Sequence, residues 1–428
     1  MKIIRKITSS EFLRNTTTLI SGTAIAQVLL LIFAPLISRL FNADDFSVYG
    51  VFVAMYSVLG AVITLRYDMA VMLPTEERKA RNVVALCMMN ALILTIVFFV
   101  IALLFRDQIA LLFDFESTSW ILLLVPPAAL FLALNTILMT WYNRNKQYKV
   151  IAANRILRNG LLTGSNVGFG FASFGSVGLI LSQILSDGLA ACYYLYTYFK
   201  NSIGFRVKRA EINSVAREYS DFPKFTLPAT FIDVFSAQLP ILLIASLYSK
   251  SLSGSYFFAW RILAIPIAII GSAYAQTFYQ KFVSYVQKQD FHFARLFLRK
   301  SWLLLGILIT IPAVVLFFWG EPLFVFIFGN EWSESGKISS ILILYVMFAF
   351  VSSPTSSTFI ALGMQKYNLV FSSVVLLYRF AAIYTGYILN DFYLGLILLV
   401  IFEVIEIIVY NLVALVKLKM LIEKQKNQ

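Results

Sequence analysis

Residues 83–105 read VVALCMMNALILTIVFFVIALLF, an apolar stretch of 23 residues bounded by Asn82 and Arg106. A helix of about 20 apolar residues crosses the ~30 Å hydrocarbon core of a bilayer, so this stretch predicts a transmembrane helix. It is too long for a barrel strand and lacks the alternation of one, and only a helix satisfies its own backbone groups in lipid. The stretch therefore predicts an α-helical integral membrane protein.

Comparable stretches recur along the chain, which is 60% hydrophobic and only 13% charged. A water-soluble domain of that composition would expose large apolar patches. We predict twelve transmembrane helices. Their spans are 15–38, 47–70, 83–105, 118–141, 150–172, 176–199, 225–248, 255–279, 301–319, 338–362, 368–389 and 392–416.

The lysines and arginines in the loops predict the orientation of the chain. With the N-terminus inside, the cytoplasmic segments hold 26 of the 35 basic residues, and the outer loops hold only Arg39, Arg106, Lys250 and Lys337. Both termini are therefore expected in the cytoplasm. The net charge of +13 then faces anionic lipid headgroups and does not call for a nucleic-acid partner.

Two segments share an order of features that predicts an internal repeat. LFRDQIALLF at 104–113 and FWGEPLFVFIF at 318–328 each precede an apolar span, a polar turn and a span that contains arginine. Such a repeat predicts two six-helix lobes with a binding cavity between them. The predicted parts are an N-terminal lobe at 1–200, a basic cytoplasmic linker at 201–224, a C-terminal lobe at 225–417 and a cytoplasmic tail at 418–428.

The predicted loops leave no room for a soluble catalytic domain. The longest, 201–224 and 280–300, are cytoplasmic, and outer loops such as 106–118 are short. VKRAEINSVAREYSD at 207–221 and MKIIRKITSSEFLRN at 1–15 predict short amphipathic helices on the inner membrane surface.

Arginines inside the predicted helices carry the clearest functional signal, because a charged side chain near the bilayer centre costs about 2.5–3.5 kcal/mol even on the lower scales. They are Arg66, Arg155, Arg158, Arg261 and Arg379. Arginine stays protonated and its planar fork matches phosphate oxygens, so these residues are candidates for binding a diphosphate. Arg261 and Arg379 are expected to line a cavity.

The alternative is that each arginine pairs with an acid inside the membrane. The candidates, which are also candidates for ion coupling or gating, are Asp68, Asp187, Asp233, Glu403 and Glu406. For Arg66 and Asp68 a structural pair is the favoured interpretation.

Glu403 and Glu406 are one helical turn apart and share a face. The pair is protonated, or pairs with Arg379, or binds a coupling cation such as H⁺ or Na⁺, and the sequence leaves these three open. Asp233 lies between Pro228 and Pro240, where a bent helix serves gating or is simply a kink.

No enzyme cofactor is indicated. The sequence has no GxxxxGK[ST] motif for a nucleotide. Its two cysteines, Cys87 and Cys192, fall inside apolar spans and predict neither a disulfide nor a metal site.

Four segments together resemble the polysaccharide transporter family, which includes the Wzx-type O-antigen and capsule flippases and lies in the MOP superfamily with the MATE multidrug exporters. They are RLFNADDFSVYG at 39–50, LRYDMAVMLP at 65–74, WYNRNKQYKVIAANRI at 141–156 and FGNEWSES at 328–335. The resemblance implies twelve helices in a MATE-like, V-shaped pair of lobes that alternate in access. It also implies a cationic cavity, which Arg155, Arg158, Arg261 and Arg379 fit.

The implied substrate is an undecaprenyl-diphosphate-linked oligosaccharide in a bacterial inner membrane, and a polysaccharide polymerase and a chain-length regulator are candidate partners. Two other functions stay open at this stage. A cation-coupled drug exporter of the same fold should have a cavity dominated by acids and aromatics. A membrane-embedded polymerase or ligase should carry a large outer loop with catalytic residues.

Overall fold

The computed structural model describes residues 27–200, 208–364 and 366–426, and every regular element within these ranges is a helix. In chain order the helices are α1 (Gln27–Leu40), α2 (Ala43–Val62), α3 (Tyr67–Ala70), α4 (Glu77–Leu112), α5 (Val125–Arg144), α6 (Tyr148–Phe171), α7 (Gly175–Lys200), α8 (Arg209–Glu218), α9 (Leu227–Leu247), α10 (Lys250–Pro266), α11 (Ser272–Gln287), α12 (Phe291–Phe328), α13 (Ser333–Ser352), α14 (Thr358–Ala361), α15 (Lys366–Ile388) and α16 (Phe392–Lys426). The prediction of an all-α membrane protein is confirmed.

Ten helical segments in the described ranges are long and apolar enough to cross a membrane. The helices α1 and α6 overlap the two remaining predicted spans. In α6, Lys149, Arg155 and Arg158 make the helix more polar than its neighbours. Each of the twelve predicted spans therefore overlaps a described helix.

Three helices are much longer than their predicted spans. α4, α12 and α16 have 36, 38 and 35 residues. At 1.5 Å per residue α4 and α16 extend about 53–54 Å, and the part of α12 before its kink at Trp319 extends about 42 Å, all beyond a ~30 Å hydrocarbon core. The predicted loops at 280–300 and 106–118 were therefore wrong in their extent. The predicted spans end at charged residues, and the helical hydrogen bonds continue beyond them.

The outer surfaces of these long helices are apolar. Leu104 on α4 is 65% exposed, and Ile311 and Phe318 on α12 are 73% and 67% exposed. Such side chains would be unfavourable in water and match the acyl chains of a bilayer.

The chain divides into two compact units that meet in sequence between Ser246 and Leu247. In the first, α5 packs against α2, α4 and α7, and α6 packs along α7. In the second, α13 packs against α10, α12 and α16, and α15 packs along α16. Compactness thus groups α9 with the first unit, and the predicted lobe boundaries at 200 and 225 stay a prediction.

The second predicted span, 47–70, is interrupted. α2 ends at Val62, and the backbone turns left-handed at Leu65 (φ 52°) and Arg66 (φ 61°) before the short α3. Left-handed conformations at non-glycine residues cost about 1–3 kcal/mol each and persist only where contacts hold them. The sequence predicted Arg66 inside a continuous transmembrane helix. In the structure it lies at the N-cap of the short α3 instead.

The predicted amphipathic segment at 207–221 forms α8, and its apolar face is covered by protein. Ile212 and Val215 are buried in one cluster with Tyr67 and Val83. The hydroxyl of Tyr67 also donates to the carbonyl of Ala216 over 3.0 Å. α8 is therefore a packed part of the first unit. The other predicted amphipathic segment, 1–15, lies outside the described residues.

Polar contacts fix α8 to the start of α4. Glu211 accepts hydrogen bonds from Asn82 Nδ2 at 2.8 Å and Arg78 Nε at 3.2 Å. These two donors, Asn82 first, hold the pKa of Glu211 below its usual value. Lys79 Nζ lies 2.7 Å from Glu218 Oε1. Both carboxylates on α8 are thus paired with the basic end of α4.

Close backbone contact sets the distance between α15 and α16. A Cβ added to Gly386 would lie 2.6 Å from the Cα of Gly395, closer than real Cβ atoms come to a neighbouring atom. Glycine at both positions allows the two helices to touch through their backbones.

We expect Gly386→Ala to lower the melting temperature of the detergent-solubilised protein, because the added methyl group forces the two helices apart at a cost of about 1–3 kcal/mol. Gly306→Ala on α12 is the matched control, since nothing lies within 4 Å of a Cβ there. Alanine is favoured over glycine in a helix by about 1 kcal/mol, so the control should melt at the same or a higher temperature. Equal melting of both variants would contradict the close contact.

Candidate functional site

The second unit contains an ion pair inside its predicted transmembrane helices. Arg379 on α15 faces Glu403 on α16, with Nε to Oε1 at 2.6 Å. The two side chains are only 13% and 7% exposed. The structure shows this contact with Arg379, which is one of the three alternatives that the sequence left open for Glu403. Breaking such a buried pair by removing one partner leaves an uncompensated charge.

A second carboxylate and several aromatic side chains surround this pair. Glu406 lies one turn after Glu403 on α16 and is half-buried. Tyr345 on α13 and Tyr378 on α15 lie within electrostatic range of both carboxylates. Tyr345 also stacks on Trp260 of α10, with ring centroids 5.7 Å apart and planes 16° apart. The arrangement combines a guanidinium, two carboxylates and aromatic rings within one unit.

The first unit contains a corresponding ion pair. Arg158 on α6 donates through Nε to Oδ1 of Asp187 on α7. The Asp187 side chain is fully buried, whereas that of Arg158 is 31% exposed. Both pairs join consecutive helices of a hairpin, and the arginines are separated by 221 positions and the acids by 216. These separations match the predicted repeat of roughly 210–220 residues.

Further hydrogen bonds hold Asp187 in place. Its Oδ2 accepts from Gln183 Nε2 at 2.9 Å. The side-chain oxygen Oε1 of Gln183 in turn accepts from the hydroxyl of Tyr49 on α2 at 2.7 Å. Asn135 on α5 donates to the backbone carbonyl of Asp187 over 2.9 Å. The network ties four helices of the first unit together, and buried polar networks of this kind fix a single packing when their groups are satisfied.

Arg155 lies one turn before Arg158 on α6 and is half-buried. Its guanidinium approaches the sulfur of Met139 at 3.9 Å and lies within electrostatic range of Tyr194. Two cationic side chains therefore lie along the same stretch of α6.

Arg66 pairs with Asp68, as the favoured interpretation held. Their NH1 and Oδ2 atoms are 3.4 Å apart, and Asp68 is buried. Thr64 donates its hydroxyl to Asp68 over 2.6 Å and accepts the backbone N–H of Arg66 at 3.2 Å. These contacts hold the left-handed turn after α2, which gives Arg66 a structural role.

The predicted site residues divide between the two units. Arg66, Arg155, Arg158, Asp68, Asp187 and Asp233 belong to the first unit, and Arg261, Arg379, Glu403 and Glu406 to the second. Arg261 is half-buried on α10, next to Trp260. Asp233 is exposed on α9, and the helix continues through Pro240. Their predicted roles in cavity lining and gating stay predictions.

Comparison with known proteins shows the family to which the chain belongs. Residues 36–337 match the model of a family described as polysaccharide biosynthesis protein. The chain belongs to this family. It has no significant match among curated protein sequences.

Solved structures of the MOP superfamily resemble this family member over nearly its whole length. An inward-facing multidrug resistance MATE family transporter matches with a TM-score of 0.70 and 15% identity, covering 94% of this chain and 99% of its own. The lipid II flippase MurJ in an inward closed conformation matches with a TM-score of 0.67 and 15% identity, covering 96% and 90%. A MOP superfamily transporter from Pyrococcus furiosus, described as having a binding pocket of reverse polarity, matches with a TM-score of 0.64 and 14% identity, covering 95% and 96%. At this identity the likeness shows the fold, and it confirms the predicted MATE-like architecture.

Sequence reasoning missed the residues that hold the charged groups. Gln183 lies four residues before the predicted Asp187 on the same face of α7, and a polar residue at that spacing in an apolar span is visible in the sequence. Tyr49 gave no comparable signal, because its partner lies 134 residues away. The pairing of Trp260 with Tyr345 was likewise out of reach in a chain with 22 tyrosines.

Proposed function

We propose that this chain is a flippase that moves undecaprenyl-diphosphate-linked oligosaccharide repeat units from the cytoplasmic to the periplasmic leaflet. The translocated repeat units would supply the synthesis of a surface polysaccharide such as O-antigen, capsule or exopolysaccharide. Membership of a polysaccharide biosynthesis family over residues 36–337 supports this, as does a transporter fold similar to that of a lipid II flippase. Moving a lipid-linked head across a bilayer needs no covalent chemistry, so the proposed activity is transport and the protein is not an enzyme.

The observation that carries the proposal is the presence of arginine side chains inside apolar helices. Arg158 and Arg379 are held within α6 and α15 by buried carboxylates. A helix that only spans lipid has no use for such a costly residue, whereas a diphosphate is bound well by a planar guanidinium. We propose that Arg155, Arg158, Arg261 and Arg379 bind the diphosphate. The prenyl tail would remain in lipid, so only the polar head needs shelter.

The aromatic side chains next to Arg379 suit the sugar part of the same substrate. Trp260 and Tyr345 are both half-buried and stack on each other. Rings of this type offer a flat apolar face together with a polar edge. We propose that they contact the oligosaccharide while the arginines hold the diphosphate.

Transport would proceed by alternating access, driven by a downhill flow of H⁺ or Na⁺. The proposed coupling residues are Asp233, Glu403 and Glu406. The proposed location is a bacterial inner membrane with both termini in the cytoplasm. A polysaccharide polymerase and a chain-length regulator are the proposed protein partners.

Complementation of a bacterial strain that lacks its own O-antigen flippase tests this function. We expect the wild type to restore surface polysaccharide and Arg261→Ala to reduce it at matched membrane levels, because one of the proposed diphosphate ligands is lost. Lys419→Ala is the control. This exposed residue lies near the end of α16, and its described ion pair is the surface contact with Glu423. It should restore the polysaccharide fully.

A strain without the matching sugar would give no restoration, so the lipid-linked intermediates are measured in the native organism as well. Depletion of this protein should cause them to accumulate on the cytoplasmic side. If they do not accumulate, the flippase function is wrong. Export of a cationic dye without any effect on these intermediates would favour the multidrug exporter instead.

A further inference from the structure

The two corresponding ion pairs differ in what else holds their acids. Asp187 is fully buried and accepts a second hydrogen bond from Gln183, which is itself held by Tyr49. The Asp187 carboxylate is therefore fixed by neutral donors as well as by Arg158. Glu403 accepts a hydrogen bond of 2.6 Å from Arg379, lies beside the hydroxyl of Tyr378, and has a second carboxylate, Glu406, one turn further along α16.

Among the residues that the structure describes, Arg379 and Glu406 are a cation and a further acid that interact with Glu403. The ionisable groups that face it are Tyr256 on α10, Tyr345 on α13, Tyr378 and Arg379 on α15, and Glu406 on α16. Tyrosine ordinarily titrates near pH 10, so these hydroxyls stay neutral at physiological pH. Arg379 is thus the group that balances two neighbouring carboxylates.

A diphosphate competes with Glu403 for this cation. Its oxygens accept the same guanidinium hydrogen bonds and carry more negative charge than a single carboxylate. Once Arg379 turns to the diphosphate, Glu403 and Glu406 are left as like charges in a medium of low dielectric constant. Two such carboxylates do not both stay ionised.

Resting on the proposed function, we propose that a prenyl diphosphate takes Arg379 from Glu403 and that the Glu403–Glu406 pair takes up a proton as it does so. The proton comes from solvent and belongs to the pair, since strongly interacting acids titrate together. Substrate binding and protonation are thereby linked in the second unit. The Arg158–Asp187 pair of the first unit, held by Gln183 and Tyr49, keeps its arrangement.

Calorimetry on the purified full chain in lipid nanodiscs tests this exchange, with farnesyl diphosphate as the probe. Titration at one pH in two buffers of different ionisation enthalpy gives the number of protons taken up per bound molecule. The probe's own protonation is common to all variants and cancels between them. The variants are Glu403→Gln, Glu406→Gln and, as a control on the same helix, Glu423→Gln, whose side chain is 59% exposed.

We expect wild type and Glu423→Gln to take up more protons than Glu403→Gln. Glu403→Gln should also bind about tenfold more tightly, which corresponds to about 1.4 kcal/mol, because the competing carboxylate is gone. Glu406→Gln keeps the ion pair, so its proton uptake should fall while its affinity stays within about twofold of wild type. If Glu403→Gln does not fold, the proton uptake of Glu406→Gln still tests the proposal.

Equal proton uptake by wild type and Glu406→Gln would overturn the inference, as would weaker binding by a folded Glu403→Gln. The proposed function survives either result, because the diphosphate still binds. Absence of farnesyl diphosphate binding by the wild type and every variant would overturn both the proposed function and the inference.

Discussion

Replacing Arg379 with alanine is expected to abolish transport while the protein still reaches the membrane. The substitution removes a proposed diphosphate ligand and leaves the Glu403 carboxylate, which is 7% exposed, without its cation. Loss of one partner of a buried pair costs about 3–5 kcal/mol when the other stays charged. Glu403 is expected to escape most of this cost by taking up a proton, so the protein folds but lacks the charge that binds substrate.

Arg379→Lys is the matched comparison for this prediction. Lysine keeps the positive charge but loses the planar fork that holds two oxygens at once. We expect partial transport from it, measured as surface polysaccharide in the complemented strain at equal membrane levels. Equal activity of the alanine and lysine variants would remove Arg379 from the substrate site.

Replacing Asp187 with alanine is expected to destabilise the first unit more than any surface substitution. It leaves Arg158 without its carboxylate and removes the acceptor for Gln183. The cost should be about 3 kcal/mol, at the lower end for a broken buried pair, because the Arg158 side chain keeps some exposure. For a unit of this size that corresponds to a fall of roughly 10 °C in melting temperature.

Thermal unfolding of purified protein in detergent measures this effect. Glu423→Ala is the control, because its contact with Lys419 is 3.7 Å long and both side chains are more than half exposed. Exposed pairs of this kind contribute about 0–1 kcal/mol. If the two alanine variants melt at the same temperature, the network around Asp187 does not stabilise the first unit.

The spans could be predicted from sequence because lipid imposes one strong rule on each of them. In lipid, a single apolar run such as 83–105 can satisfy its own backbone hydrogen bonds only as a helix. The same rule gave no information on where the helices end. α4 runs from Glu77 to Leu112, so helical hydrogen bonding continues past Arg106, the charged residue that follows the predicted span.

The interruption after α2 shows a local limit of the same reasoning. Leu65 and Arg66 adopt left-handed conformations, which neither leucine nor arginine favours. They are held by Thr64, Asp68 and the packing of α3, which a hydropathy pattern does not contain. Arg66 was therefore placed inside a helix that ends before it.

The sequence singled out the members of the two buried ion pairs, but it offered the Arg379–Glu403 pair only as one of three alternatives and did not assign Arg158 to Asp187. Arg158, Arg379, Asp187 and Glu403 all stand out in the sequence, because charge inside an apolar span is rare and costly. Which arginine meets which acid depends on the rotation and separation of two helices. For Arg379 and Glu403, the contact between Gly386 and Gly395 sets the separation.

The sequence by itself determined that this chain is an all-helical membrane protein, and it singled out the charged residues inside the predicted spans, because both follow from the cost of placing polar and charged groups in lipid. Only the tertiary structure decided that Asp187 is held by Gln183, which Tyr49 holds in turn, whereas Glu403 pairs with Arg379 beside a second carboxylate. The difference arises from side chains that packing brings together from distant parts of the chain, and no local pattern records such a contact.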